Sequence, residues 1–266
     1  MKRLLSRRSF LLQLISVLVA VSLACAQSAG PRATGEARIL FVGNSLTHGN
    51  DLPRMVSELS ASAGLRWEVH SVIIGGASLE DHLAEGTAPE QLADQPWDFV
   101  VVQQGPSTLP ESRANLRRGA AAFRPLVERA GARMALYMVW PDSTWSADRF
   151  VQDFDRVRDS YALAASDVRG QFLPAGEAWR MAWARDPDFK LYGPDSFHPS
   201  PEGTYLAALT IVAGLSGHSA VGLTNRITTP DGRLVLSLQP NPAFLLQKAA
   251  DDAVARYGSY VPPDVP

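Results

Sequence analysis

The 266-residue sequence contains one cysteine, Cys25. A single thiol cannot form an internal disulfide, a zinc cage or an iron–sulfur site, so the fold must stand on packing. A basic excess is also missing, with 25 Lys plus Arg against 27 Asp plus Glu. That balance argues against holding nucleic acid by phosphate neutralisation, and against adhesion to an anionic membrane surface. His48, His70, His82 and His218 are scattered, and none has the i, i+4 spacing of a helical metal pair; all four read as structural or solvated. A P-loop lysine and a glycine-rich phosphate fingerprint are absent after the first apolar run, which disfavours nucleotide binding. No metal and no cofactor is called for. What the chain does have is 46% hydrophobic and 20% charged residues, the balance of a globular protein that can bury a core.

Residues 1–26 read as an export signal. Lys2, Arg3, Arg7 and Arg8 precede an apolar run over residues 10–23 that is broken only by Gln13, Ser16 and Ser22. The run is short for a bilayer span, and Ala24-Cys25-Ala26 offers the small residues a signal peptidase needs. Ser6-Arg7-Arg8-Ser9-Phe10-Leu11 resembles the twin-arginine signal, so the expected location is periplasmic or extracellular. A second reading has Cys25 lipidated after Ser22-Leu23-Ala24 rather than discarded. Without residues 1–26 the chain would carry 21 basic and 27 acidic side chains and no membrane span.

Residues 27–36 are small and polar and read as a flexible leader, and residues 37–266 as a single domain. Short apolar runs at 39–42, 69–74, 99–102, 134–139 and 172–173 lack polar alternation, as expected of strands buried on both faces. Helical patterns lie between them. Phe150, Phe154, Val157, Tyr161 and Ala164 recur by threes and fours, a second pattern covers 112–130 with Pro125 inside it, and Ser200-Pro201-Glu202 opens a third. Alternating strand and helix predicts a parallel sheet covered on both faces. Residues 221–238, with Pro230-Asp231-Gly232 at their turn, read as a small appended hairpin, and 242–257 as a last helix.

In open parallel sheets the loops after the strands converge on one crevice, so their polar residues come first. They are Gly43-Asn44-Ser45-Leu46-Thr47, Gly75-Gly76-Ala77-Ser78, Gln103-Gln104-Gly105-Pro106-Ser107 and Trp140-Pro141-Asp142. Downstream, Asp195-Ser196-Phe197-His198 sits in a loop before the Ser200 helix. A serine nucleophile needs a base within reach, and that imidazole needs a carboxylate to orient it; an Asp three residues before a His supplies both from one turn.

These residues resemble the SGNH, or GDSL-like, hydrolases. Gly43-Asn44-Ser45-Leu46-Thr47 is similar to that family's nucleophile block, Gly76-Ala77-Ser78 to its glycine block and Asp195-x-x-His198 to its acid and base block. The resemblance implies a flavodoxin-like, three-layer α/β/α fold around a central five-stranded parallel sheet, with the small C-terminal hairpin and helix outside it. It implies Ser45 as nucleophile, His198 as general base and then acid, and Asp195 as its orienter. The oxyanion hole would use the backbone N–H groups of Ser45 and Gly76, plus a side-chain amide that the family draws from an Asn after the third strand. Here that block departs, with Ser107 at the Asn position, so Gln103 or Gln104 is expected to donate and Ser107 is the fallback. Asn44 and Trp140 are expected to contact substrate.

The function expected is cleavage of carboxyl esters, small acyl groups on sugars or similar polyols, through an acyl-Ser45 intermediate. The competing expectation is a noncatalytic glycan- or cell-wall-binding protein on the same fold, motivated by the altered third block. The substrate is a small-molecule ester in the first case, and oligomeric state is not encoded in either.

Overall fold

The computed structural model describes residues 35–144 and 146–263. The export signal, most of the leader, Cys25 and Trp145 therefore lie outside the described residues.

Five parallel strands form the central sheet in the order β2-β1-β3-β4-β5: β1 (Glu36–Gly43), β2 (Arg66–Ile73), β3 (Phe99–Val102), β4 (Arg133–Tyr137) and β5 (Gln171–Leu173). All of β3, and β1 from Ile39 onward, are buried, which is why their sequences run apolar without alternation. The edge strand β2 differs. Its Glu68 and His70 face solvent, with Glu68 bonded to His70 Nε2 and ion-paired with Arg38, and such charge blunts pairing by a foreign strand. Because β1 leads outward to β2 while β3, β4 and β5 follow on the other side, the strand order reverses between β1 and β3. A crevice opens at the carboxyl ends of those two strands.

Helices cover both faces. On one, α2 (Leu52–Ser62) packs against α8 (Pro201–Ser216), which also meets α7 (Ala175–Arg185) and α9 (Pro240–Tyr257). The other carries α3 (Leu79–Glu85), α4 (Thr87–Asp94), α5 (Pro110–Arg129) and α6 (Ala147–Val168). The three-layer α/β/α expectation is thus met. Of the stripe that its spacing gave away, helix α6 buries Phe154, Val157, Tyr161 and Ala164 and leaves Phe150 half-buried; it also buries Val168. Helix α5 starts at Pro110 and continues through Pro125.

Helix α8 explains the C-terminal appendage. Its start is fixed by Ser200, whose hydroxyl accepts from the Gly203 N–H at 3.1 Å, and by Pro201 at the first helical position. Beyond that turn it is apolar all round, with Leu206, Leu209, Ile211 and Val212 fully buried. Each such side chain contributes about 1.5–3 kcal/mol only if every side of the helix is covered. Helix α9 supplies part of that cover through Ala243, Leu246, Ala250 and Ala253, and the hairpin β6 (Arg226–Thr228) and β7 (Leu234–Ser237) turns through Gly232 at φ +81°. All described elements belong to one compact unit. Among the described residues, no helix is long and apolar enough to cross a membrane.

Candidate active site

The nucleophile block leaves β1 at the strand reversal. Asn44 caps the short helix α1 (Ser45–His48), its Oδ1 accepting from the Leu46 N–H at 3.1 Å, and this sets Ser45 at the first helical position. First-turn N–H groups have no partner within their own helix, and Ser45 N–H donates to no acceptor among the described residues. Its hydroxyl meets His198 Nε2 at 2.9 Å.

His198 comes from the loop between Tyr192 and Pro199, two residues joined by an isolated antiparallel bridge. Within it Gly193 N–H donates to the His198 carbonyl at 2.7 Å, and Ser196 takes a left-handed φ of +64° so that the chain can turn back. Asp195 closes the turn. Its Oδ1 accepts from the Phe197 and His198 N–H groups at 3.1 and 2.9 Å, and its Oδ2 accepts from His198 Nδ1 at 2.5 Å. With Nδ1 donating, Nε2 is left to accept from the Ser45 hydroxyl. The imidazole, and then the two backbone N–H groups, lower the Asp195 pKa to about 2. The nucleophile and acid–base segments are also tied directly, because Asn50 Nδ2 donates to the Pro199 carbonyl and to Thr204 Oγ1, both at 2.9 Å.

Gly76 lies in the turn after β2. Ile74 N–H donates to the Gly43 carbonyl at 3.1 Å and Asn44 Nδ2 to the Ala77 carbonyl at 3.0 Å, so this turn is bound to the nucleophile block from both ends. Gly76 adopts φ +71°, is exposed and donates its N–H to no acceptor among the described residues. Ser45 and Gly76 therefore each keep an uncommitted backbone donor, in the turns that follow β1 and β2.

The glutamines do not join them, which corrects the expectation of a side-chain amide donor. Gln103 Nε2 donates to Asn44 Oδ1 at 2.9 Å and to the Gln104 carbonyl at 2.5 Å, while its Oε1 accepts from Asn44 N–H and the Thr47 hydroxyl at 3.1 and 2.6 Å. Gln104 Oε1 accepts from Leu79 N–H, and its Nε2 donates to Ser107 Oγ at 3.1 Å. The fallback donor Ser107 turns its own proton to the Gly105 carbonyl. All three side chains are buried and bonded inward. Asn44, read as a substrate contact, is buried and acts as cap and brace. Trp140 is corrected in the same way. It stacks on Trp179 at a centroid distance of 3.6 Å, fully buried, so it forms no rim for substrate.

His82, read from the sequence as structural or solvated, is structural: it lies buried under the nucleophile block with Nε2 donating to the Gly43 carbonyl at 2.9 Å. Burial is the main cause that lowers its pKa. Its capping-box neighbour Ser78-x-x-Asp81 placed it on a helix in principle, but nothing local said that the helix faces β1. Among the described residues, no group of three or more His, Cys, Asp or Glu could hold a metal ion.

No family model and no curated protein matches this sequence. Solved structures do. A protein from Slackia heliotrinireducens described as an SGNH hydrolase is 32% identical, with 66% of this chain and 97% of that chain covered at a TM-score of 0.57. The chain belongs to the SGNH hydrolase family. A DUF4886 family protein from Bacteroides uniformis shares the fold of this SGNH hydrolase at 21% identity and TM-score 0.69, with 85% of this chain and 97% of that one covered. A protein from Parabacteroides merdae described as a GDSL-like lipase shares it at 18% identity and TM-score 0.53, with 70% and 98% covered.

Proposed function

We propose that this SGNH hydrolase cleaves carboxyl esters through an acyl-Ser45 intermediate. The observation that carries the reading is the continuous chain from Ser45 Oγ to His198 Nε2 at 2.9 Å and from His198 Nδ1 to Asp195 Oδ2 at 2.5 Å. In the first half-reaction His198 takes the Ser45 proton as Oγ bonds to the ester carbonyl carbon. The negative charge that develops on the carbonyl oxygen is received by the Ser45 and Gly76 N–H groups, and Asp195 stabilises the imidazolium. The C–O bond then breaks as His198 protonates the leaving alcohol. Water, deprotonated by the same nitrogen, attacks the acyl carbon and returns free Ser45 and a carboxylic acid.

Small acyl groups on a bulky polyol such as a sugar suit the openness of the site. The Asp195 and His198 side chains are 52% and 41% exposed, so a large alcohol portion can approach from solvent while the carbonyl meets Ser45. The Arg7-Arg8 signal supports action outside the cytoplasm.

A fluorophosphonate probe tests the mechanism. Wild type should be labelled and Ser45→Ala should not, with turnover of p-nitrophenyl acetate falling roughly 10⁴- to 10⁶-fold in the variant. Unlabelled wild type, or equal labelling of Ser45→Ala, would overturn the reading. Glycan affinity with no Ser45-dependent turnover would instead support the noncatalytic binding protein.

A further inference from the structure

The peptide segment between Asp195 and His198 is held from outside its own loop. Ser143, in the segment after β4, donates both its N–H, at 3.1 Å, and its hydroxyl, at 2.9 Å, to the Ser196 carbonyl. Trp140 Nε1 donates to the Phe197 carbonyl at 2.9 Å. The carbonyls of both residues that separate the acid from the base are therefore anchored to one neighbouring segment. A reciprocal bond runs the other way, from the Tyr192 hydroxyl to the Pro141 carbonyl at 2.5 Å.

The anchor is itself rigid. Trp140 lies flat on Trp179, whose Nε1 donates to the Gly203 carbonyl of α8 at 3.2 Å and whose ring meets Tyr192 edge-on at 5.0 Å. Gly203 has no room for a side chain, since a Cβ there would stand 2.6 Å from Trp179 Cζ2. By contrast the loop being held is exposed at Pro194 and Asp195 and carries a non-glycine residue, Ser196, at φ +64°. An exposed turn with an unfavourable backbone angle needs outside support to keep one geometry.

We propose that Trp140 and Ser143 are positioning residues that clasp the Ser196 and Phe197 carbonyls and so fix the imidazole of His198 between Asp195 and Ser45. This rests on the acyl-serine reading above for its effect on turnover, though the clasp itself can be read without it. Fixing two of the three peptide groups between acid and base leaves the imidazole little freedom to swing from the Ser45 hydroxyl. A small misplacement of a reacting group lowers the rate without weakening substrate binding.

The test is made on the full chain with three variants. Trp140→Phe keeps a ring against Trp179 but loses the Nε1 donor; Ser143→Ala loses the hydroxyl donor; Ser143→Thr keeps it. Trp140→Phe should lower kcat for p-nitrophenyl acetate about tenfold and leave KM within about twofold, as loss of one buried hydrogen bond acting on geometry alone would. Ser143→Ala should lose about threefold and Ser143→Thr should regain the wild-type rate. In proton NMR, the downfield His198 Nδ1–H resonance should be sharp in wild type and broadened in Trp140→Phe, and this signal is read whether or not ester is turned over. Wild type without Ser45-dependent turnover but with that broadening would sink the hydrolase reading and leave the clasp standing. A folded Trp140→Phe with unchanged kcat and an unchanged Nδ1–H signal would overturn the clasp, as would a loss confined to KM. If Trp140→Phe fails to fold, equal rates for Ser143→Ala and Ser143→Thr overturn it.

Discussion

Gln103 and Asn44 clasp each other through two reciprocal hydrogen bonds, the Asn44 N–H to Gln103 Oε1 at 3.1 Å and Gln103 Nε2 to Asn44 Oδ1 at 2.9 Å. The pair joins the end of β3 to the block that carries Ser45, across the point where the strand order reverses. Gln103→Leu would keep the volume and strand the Asn44 N–H and the Thr47 hydroxyl in a buried place, while Asn44 Oδ1 keeps the Leu46 N–H. Each orphaned group costs about 1–3 kcal/mol, so urea unfolding should show a loss of about 2 kcal/mol or more. An amide that served the oxyanion would behave differently, lowering kcat roughly 10²- to 10³-fold with the unfolding midpoint unchanged.

Gly43 should tolerate no side chain. A Cβ there would stand 2.7 Å from Gln103 Oε1, and it would also run into the Thr47 hydroxyl. Overpacking of this kind costs about 1–3 kcal/mol, and here the atoms that must yield are those that orient the nucleophile block. Gly43→Ala should therefore lose both thermal stability and fluorophosphonate labelling rate, while a substitution at the open position Gly75, where a Cβ meets nothing within 4 Å, should leave the melting temperature near wild type.

How far the chain could be read in advance follows from where each determinant sits. Strands β1 and β3 were legible because burial on both faces leaves an unbroken apolar run, and α8 because Ser200-Pro201 marks its start locally. Asp195 and His198 were legible because one tight turn contains both. The amide roles were not, since one proton of Gln103 is claimed by Asn44, 59 residues away in the chain, and the other by the Gln104 carbonyl. Trp140 misled for a related reason. Position after a strand places a residue at the reactive edge, but the direction of its ring was decided by Trp179, which lies in α7, 39 residues further on.

Acid should weaken the fold through His82. Burial lowers its pKa below the ordinary 6.5 despite the Gly43 carbonyl and the nearby Glu85 and Asp81, which oppose the shift, and its Nδ1 meets no partner among the described residues. As pH falls below 6.5 the unfolded chain takes up a proton that the native chain refuses, so native stability declines until the native pKa is reached. The slope from this one group cannot exceed about 1.4 kcal/mol per pH unit. His82→Gln can still donate to the Gly43 carbonyl but cannot titrate. Urea unfolding of the variant between about pH 5 and 7 should lose that slope, and an unchanged slope would assign the acid sensitivity elsewhere.

Asp195 titrates in a different range and has a different role. Its pKa is lowered to about 2, with the hydrogen bond from the His198 ring as the first cause. The sign is that of a depressed carboxylate: its contribution to stability is present above the ordinary 3.8 and is lost as pH falls through about 2. Loss of activity on mild acidification therefore cannot come from protonating Asp195. Among the described residues, no other carboxylate touches the His198 imidazole, so nothing else is placed to hold its tautomer. Asp195→Asn should accordingly lower kcat roughly 10³- to 10⁴-fold, less than Ser45→Ala, with KM and the melting temperature near wild type. A loss under about tenfold would mean that solvent or backbone orients the imidazole well enough without the carboxylate.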